Sequence, residues 1–236
     1  PSDIASGPCA PDPTTYEDAL GVLRRWNVTP PVAIADWLER GARGDIPETP
    51  KADAPLFDRV ENRVIATAHR SLEAAADVFQ RAGVHPVILG DTVTGEAREV
   101  AKVYAALVRE IRAHRAPFAP PVALISGGEC TVTLPAGSSG RGGRCSEFLL
   151  SLAVELDGMP DVHALAADTD GIDGSETNAG AWLVPATGAR AAASGVTARA
   201  ALDAHDAYGF FAAAGTLLET GPTRTNVNDF RVILAL

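Results

Sequence analysis

The sequence predicts an α/β fold, with strand–helix units in the first part of the chain and a mixed sheet after residue 117. Three observations carry this. Apolar residues recur at helical spacing in several long segments. Short apolar runs alternate with those segments and empty into glycine or acidic loops. Of the 236 residues 46% are hydrophobic, while 22 Gly and 17 Pro punctuate many short elements. Such a chain holds enough apolar mass for one large domain or two small ones.

Taken in order, residues 1–15 read as a Pro/Asp/Thr loop. A short helix follows over 16–26, with Ala19, Leu20 and Leu23 on one face. Pro30-Pro31 stops it, and 32–40 reads as a second helix. Three prolines and mixed charge make 42–58 a surface loop. The spacing of Ile65, Ala68, Leu72, Ala75 and Phe79 predicts a helix over 62–82, closed by Gly83. Residues 85–90 form a short buried strand, and 96–114 a helix with Val100, Val103, Leu107 and Ile111 inward. The Pro-rich segment 116–121 is the best linker. Beyond it the pattern predicts strands at 122–125 and 131–134, a glycine-rich loop at 136–144 and a helix at 145–156. Further strands are expected at 162–167, 179–184 and 230–236, with helices at 198–203 and 207–218. No internal repeat is visible.

The formal net charge of −10 disfavours nucleic acid, because without a basic patch such a chain repels phosphate backbones. No apolar stretch approaches the roughly 18 residues of a membrane span. Cys9, Cys130 and Cys145 are an odd number without C-x-x-C spacing, which predicts reduced thiols and a cytoplasmic protein. The histidines show no zinc spacing.

The densest chemical signal is Asp168-Thr169-Asp170-Gly171-Ile172-Asp173-Gly174-Ser175-Glu176, at the end of a predicted strand. Carboxylates there can hold a divalent cation or take a proton. Asp168 and Asp170 are the candidates for both roles, with Asp173 as a further metal ligand. A plain turn is the bland alternative. An EF-hand is excluded, since Ile172 and Asp173 stand where it needs an oxygen ligand and then a glycine. The loop Gly137-Ser138-Ser139-Gly140-Arg141-Gly142-Gly143-Arg144 opens a helix. Gly140, Gly142 and Gly143 can bring backbone N–H groups to an anion, and Arg144 can fork onto its oxygens. Neither a P-loop lysine nor a complete dinucleotide fingerprint is present. Gly127, Gly128 and Glu129 follow a strand and can approach a ligand. Thr223, Asn226 and Asn228 lie in a hydroxyl- and amide-rich string before the last strand, suited to hydrogen-bonding a nucleotide or hydroxy acid. Turn chemistry is the competing reading for each of these.

Together the strings resemble the glycerate 2-kinase family, often labelled hydroxypyruvate reductase. They are Ile4-Ala5-Ser6-Gly7-Pro8 with Asp12-Pro13-Thr14-Thr15, Gly95-Glu96-Ala97-Arg98-Glu99-Val100-Ala101, Ser126-Gly127-Gly128-Glu129, Gly142-Gly143-Arg144, Asp168-Thr169-Asp170-Gly171-Ile172-Asp173-Gly174, and Thr220-Gly221-Pro222-Thr223-Arg224-Thr225-Asn226-Val227-Asn228-Asp229. Residues 117–236 resemble the family's MOFRL domain, a three-layer α/β unit. Residues 1–116 resemble the end of its Rossmann-like domain. The resemblance implies ATP- and Mg²⁺-dependent phosphorylation of D-glycerate at its 2-hydroxyl. It also implies that the chain matches only the second half of such an enzyme, without the family's catalytic lysine, and that it is inactive alone. An exposed cleft face is then expected to favour a homodimer. Two departures stand out: Cys130 replaces the usual Thr, and Cys145-Ser146 replace the usual Asn-Gln. The competing functions are an NAD(P)H-dependent hydroxypyruvate reductase and a non-catalytic ligand-binding module.

Overall fold

The structure is a computed structural model that describes residues 1–236 apart from 3, 5 and 6. Part of the Ile4-Ala5-Ser6-Gly7-Pro8 string therefore lies outside the described residues. The chain forms two compact units, Pro1–Ile65 and Ala66–Leu236.

The first unit holds helices α1 (Tyr16–Arg25) and α2 (Val32–Ala42), with a 3-10 turn at Pro55–Arg59 inside the expected loop. Thr15 and Asp18 start α1 reciprocally. The Asp18 N–H donates to Thr15 Oγ1 (3.1 Å) and the Thr15 N–H to Asp18 Oδ2 (2.8 Å). Asp12 of the Asp-Pro-Thr-Thr string accepts from the Thr14 N–H (2.8 Å) and the Thr49 hydroxyl (2.9 Å), tying the loop to residue 49. No strand occurs in this unit among the described residues.

The second unit is a mixed sheet between two helical layers. Its strands are β1 (His85–Glu96), β2 (Val122–Thr131), β3 (Val162–Asp168), β4 (Gly180–Leu183), β5 (Leu217–Leu218) and β6 (Asp229–Ala235), in the order β1-β2-β6-β3-β4-β5. Only β1 and β2 are parallel; every other pair is antiparallel. Alternation along the strands sorts the core. Ala123, Ile125 and Val232 face α3 (Ala68–Arg81) through Leu72. Val122, Leu124, Ile233 and Ala235 face the layer that contains α4 (Ala97–His114) and α5 (Arg144–Leu156). Helices α6 (Thr187–Ala193), α7 (Ala198–Asp203) and α8 (Ala207–Ala214) complete that layer.

The α/β class and mixed sheet are as the sequence predicts, with local differences, among them an unexpected helix α6 and Val103 of α4, expected inward but 69% exposed. Helix α3 starts at Ala68, not residue 62, because the Thr67 hydroxyl accepts from the Arg70 N–H (3.2 Å) and caps it there. Ile65, counted into the helical stripe, is exposed. β1 runs on to Glu96 through two register shifts, and β2 runs unbroken through Gly127-Gly128 to Thr131, so the expected strand at 131–134 is absent. The segment 207–218 is broken by Gly215, whose φ of 68° ends α8 and releases Leu217–Leu218 as a strand. β1, which precedes the expected boundary at residue 117, joins the same sheet as the strands that follow it.

Candidate functional site

Strands β3 and β6 pair so that Asp168 lies directly opposite Asp229. Both follow the alternation that faces α5. Like charges opposite one another repel, and the first residue of α5 comes between them. The Arg144 Nε–H donates to Asp229 Oδ1 (2.7 Å), and Nη2 donates to Asp168 Oδ2 (2.7 Å). Its Nη1 lies 3.3 Å from Glu129 Oε1 on β2. Behind Asp229 sits Arg231, wholly buried. Arg231 donates from Nη2 to Asp229 Oδ2 and from Nη1 to the Gly127 carbonyl (2.9 Å), with its guanidinium 5.3 Å from the centre of the Phe148 ring.

The electrostatics follow from this arrangement. Burial pushes Asp168 up to about 6; the Asp170 N–H and the Arg144 charge pull the other way but do not cancel it. Arg144 is shared among three carboxylates, so each gains only part of its charge. Burial works against the Arg144 cation, yet the hydrogen bond and charge of Asp229, then the charge of Asp168, outweigh it and raise its pKa. It is a permanent cation.

A second cluster grows from the next turn of α5. The Arg98 Nε–H of α4 donates to Glu147 Oε1 (3.0 Å), and Arg98 Nη2 donates to the same oxygen and to the Leu202 carbonyl (2.9 Å). His205 places Nδ1 3.1 Å from Glu147 Oε1 and 2.9 Å from Arg98 Nη2. A protonated Nδ1 donates to Glu147, whereas a bare one accepts from Arg98.

The acidic loop divides between two tasks. Asp173 is buried at the N-terminus of α5. It accepts from the Cys145 N–H (3.0 Å), the Ser146 N–H (2.8 Å) and the Ser146 hydroxyl. Burial raises its pKa. Its place is a helix cap, and Gly143 exists to admit it: a Cβ there would lie 2.3 Å from Asp173 Oδ1. Asp170 is half-buried. Its N–H donates to Asp168 Oδ1 (3.2 Å), and its own carboxylate accepts from the Ile172 N–H (2.9 Å) and Asn226 Nδ2 (3.2 Å). The terminal string is stitched to the same loop. The Thr223 N–H donates to the Asp170 carbonyl (2.9 Å), and the Thr169 hydroxyl donates to the Asn228 carbonyl (2.7 Å). Thr223, Asn226 and Asn228 thus hold the acidic loop in shape.

A cavity of about 670 Å³ opens beside these groups, within the order of 300–1,000 Å³ usual for small-molecule sites. Glu129 and Arg144 line it together with Glu147 and His205, and Gly140, Gly142, Gly143 and Gly174 form backbone wall. Gly128 serves chain packing instead: it has a φ of 105°, and a Cβ would meet the Val93 backbone at 2.2 Å. Asp168 and Asp170 are not lining residues; Asp168 reaches the cavity through Arg144. The sequence singles out Arg144, Asp168 and Asp170 as catalytic candidates; the structure pairs Arg144 with Asp168 and Glu129, while Asp170 bonds to its own loop and Asn226. Sequence reasoning assigned no role to Asp229, Arg231, Arg98 or His205. A charge inside the apolar run 230–236 was the available signal for Arg231.

Among the described residues no group of three His, Cys, Asp or Glu side chains forms a ready ion cage. Asp168 and Asp170 remain a pair of oxygen donors, with an Asp168 oxygen not bonded to Arg144. One or two carboxylates completed by water and phosphate oxygens is the usual Mg²⁺ set, so the pair fits that ion in company with a nucleotide. No helix among the described residues is long and apolar enough to cross a membrane.

The MOFRL family profile matches residues 122–229, and that of a domain of unknown function, DUF4147, matches residues 1–39. A protein of Agrobacterium vitis provisionally named a hydroxypyruvate reductase is 47% identical over 99% of the chain and 52% of its own length. Glycerate 2-kinase of Pyrococcus horikoshii is 38% identical over 99% of the chain and 52% of its own length. The crystal structure of glycerate kinase from Thermotoga maritima superposes with a TM-score of 0.82 at 33% identity, over 100% of the chain and 54% of that protein. The chain spans about half the length of these relatives. It carries a MOFRL-family region at residues 122–229 and is similar along nearly its whole length to proteins named glycerate kinase.

Proposed function

We propose that this chain contributes the Arg144–Asp168 site of a phosphotransferase that moves the terminal phosphoryl group of ATP, with Mg²⁺, to the 2-hydroxyl of D-glycerate. The observation that carries the reading is the position of Arg144: fixed at 2.7 Å from both Asp168 and Asp229, yet lining a ligand-sized cavity. Phosphoryl transfer needs positioning and a cation opposite the transferring oxygens. Arg144 supplies the cation. Its Nη1 edge faces Glu129, which is half exposed and free to yield that edge to a phosphate.

Asp170 accepts the hydroxyl proton, or Asp168 does so at Oδ1, the oxygen that Arg144 does not hold and that accepts from the Asp170 N–H; neither lines the cavity, so the substrate must reach in to the acidic loop. A carboxylate pushed up to about 6 is better matched to neutral pH than an ordinary one. As the substrate oxygen bonds to phosphorus, the bond to the nucleotide's bridging oxygen breaks and ADP leaves. Whichever of Asp168 and Asp170 does not take the proton would hold Mg²⁺, which neutralises phosphate charge when bound. Thr223, Asn226 and Asn228 keep Asp170 in place, and the Gly140–Gly143 backbone forms the nucleotide side of the cavity. Asp173 acts as a positioning residue for α5. Gly127 and Gly128 set the approach of β2. The 117–236 segment as the MOFRL unit, a reducing cytoplasmic location supported by three free cysteines, and association with a second copy belong to the same proposal.

The test is direct. The complete enzyme that contains this chain, incubated with D-glycerate and ATP–Mg²⁺, should form 2-phosphoglycerate, and hydroxypyruvate with NADH should give no oxidation of NADH. Asp170→Asn should lower turnover at least about a hundredfold, and Arg144→Ala should act similarly through lost charge stabilisation. Near-normal kinetics in either variant would remove that residue from the site; NADH oxidation would replace the reading with a reductase.

A further inference from the structure

Arg231 has no part in the reaction just described, yet it is the largest fully buried side chain of the molecule. We infer that Arg231 is a positioning residue: through Asp229 and the Gly127 carbonyl it sets the direction in which Arg144 presents its guanidinium to the cavity. This deepens the phosphotransfer reading and rests on it for its catalytic consequence. The geometric part stands apart from that reading.

A buried cation is hard to justify on stability alone, since well-packed apolar residues commonly serve a core as well or better. Here the hydrogen bonding is not even complete, for the buried Arg231 Nε has no partner. What the side chain does achieve is a junction. Ser126 and Arg231 are the last register pair of β2 and β6. Beyond them β2 carries Gly127 to Glu129 toward Arg144. The two Nη groups of Arg231 hold one backbone carbonyl of β2 and one carboxylate oxygen of β6. With Oδ2 of Asp229 taken, only Oδ1 is left for Arg144, and it engages the Nε edge. The Nη1 edge is thereby left for Glu129 and the cavity. Released from Arg231, Asp229 loses the contact that fixes its carboxylate, and its single hold on the Nε edge of Arg144 loosens, so the guanidinium is no longer aimed.

The experiment follows hydrogen exchange at the Arg144 Nε–H in protein carrying ¹⁵N-arginine, the signal being assigned by its loss in Arg144→Lys. In Arg231→Met and Arg231→Lys this proton should exchange at least about tenfold faster than in the wild type, while β2 and β6 backbone amides stay within about twofold. A lysine ammonium cannot reach two acceptors with Arg's fork geometry, so the conservative variant should not rescue. With D-glycerate and ATP, kcat should fall at least about tenfold and KM should hardly move, as for a group that serves only the transition state. Unchanged Arg144 exchange in either folded variant overturns the inference. Failure of both variants to fold also overturns it, by assigning Arg231 to folding. Absence of wild-type turnover in the complete enzyme sinks the phosphotransfer reading and leaves the exchange result standing.

Discussion

Arg144 and Glu147 lie one turn apart on α5, and they anchor two clusters of opposite character. Arg144 is a cation outnumbered by carboxylates: Asp168, Asp229 and Glu129. Glu147 is a carboxylate outnumbered by bases: Arg98 and His205. Arg144 and Arg98 are equally exposed, but the first cluster is backed by a fully buried second guanidinium, Arg231, and the second is not. Both border the same cavity. One helical turn thus gives the cavity an acid-rich end and a cation-rich end.

The contrast predicts unequal costs. Asp229→Ala leaves Arg231 buried without its carboxylate and should destabilise by about 3–5 kcal/mol. Glu147→Ala should cost less, about 2 kcal/mol, because Arg98 can rehydrate. Urea denaturation measures both, and equal losses would break the comparison. A subtler effect concerns pH. The Asp168 carboxyl should titrate near 6 by ¹³C NMR, against an ordinary value of 3.8. Because the folded pKa is raised, the unfolded chain ionises first. The Asp168 contribution to stability is therefore neutral below about pH 4, falls as pH rises to about 6, and is constant above. Arg144→Met should move the midpoint further up, since the guanidinium favours the ionised form; a downward shift would contradict the shared-cation picture. Smallest is Glu129→Gln. Its carboxylate is 55% exposed, so stability should change by no more than about 0.5 kcal/mol.

The fold was most legible where one physical signal acted alone. The α4 stripe of Val100, Leu107 and Ile111 and the apolar run of β2 both mark their elements clearly. Legibility failed where signals overlapped. Ile65 extended the α3 stripe although Thr67 caps the helix later, and Gly90 and Gly95 hid the continuation of β1, whose pairing with β2 is a long-range fact. In the site, Arg144 and the acidic loop stood out because charge and glycine cluster there. Asp173 looked like its neighbour Asp168; only the close approach of Gly143 separates a cap from a member of the Arg144 cluster. The roles of Arg98 and His205 depend on α4, α5 and the segment after α7 meeting in space, which no local pattern encodes.

The cap on α5 carries one more consequence. Helix N-termini are ready-made receptors for phosphate, but this one is already filled by an acid from its own chain. An incoming anion finds that attraction neutralised and must depend on a side-chain cation that it has to share. Selectivity is then set by rivalry with resident carboxylates, so a multiply charged phosphate is favoured over a singly charged acid of the same size.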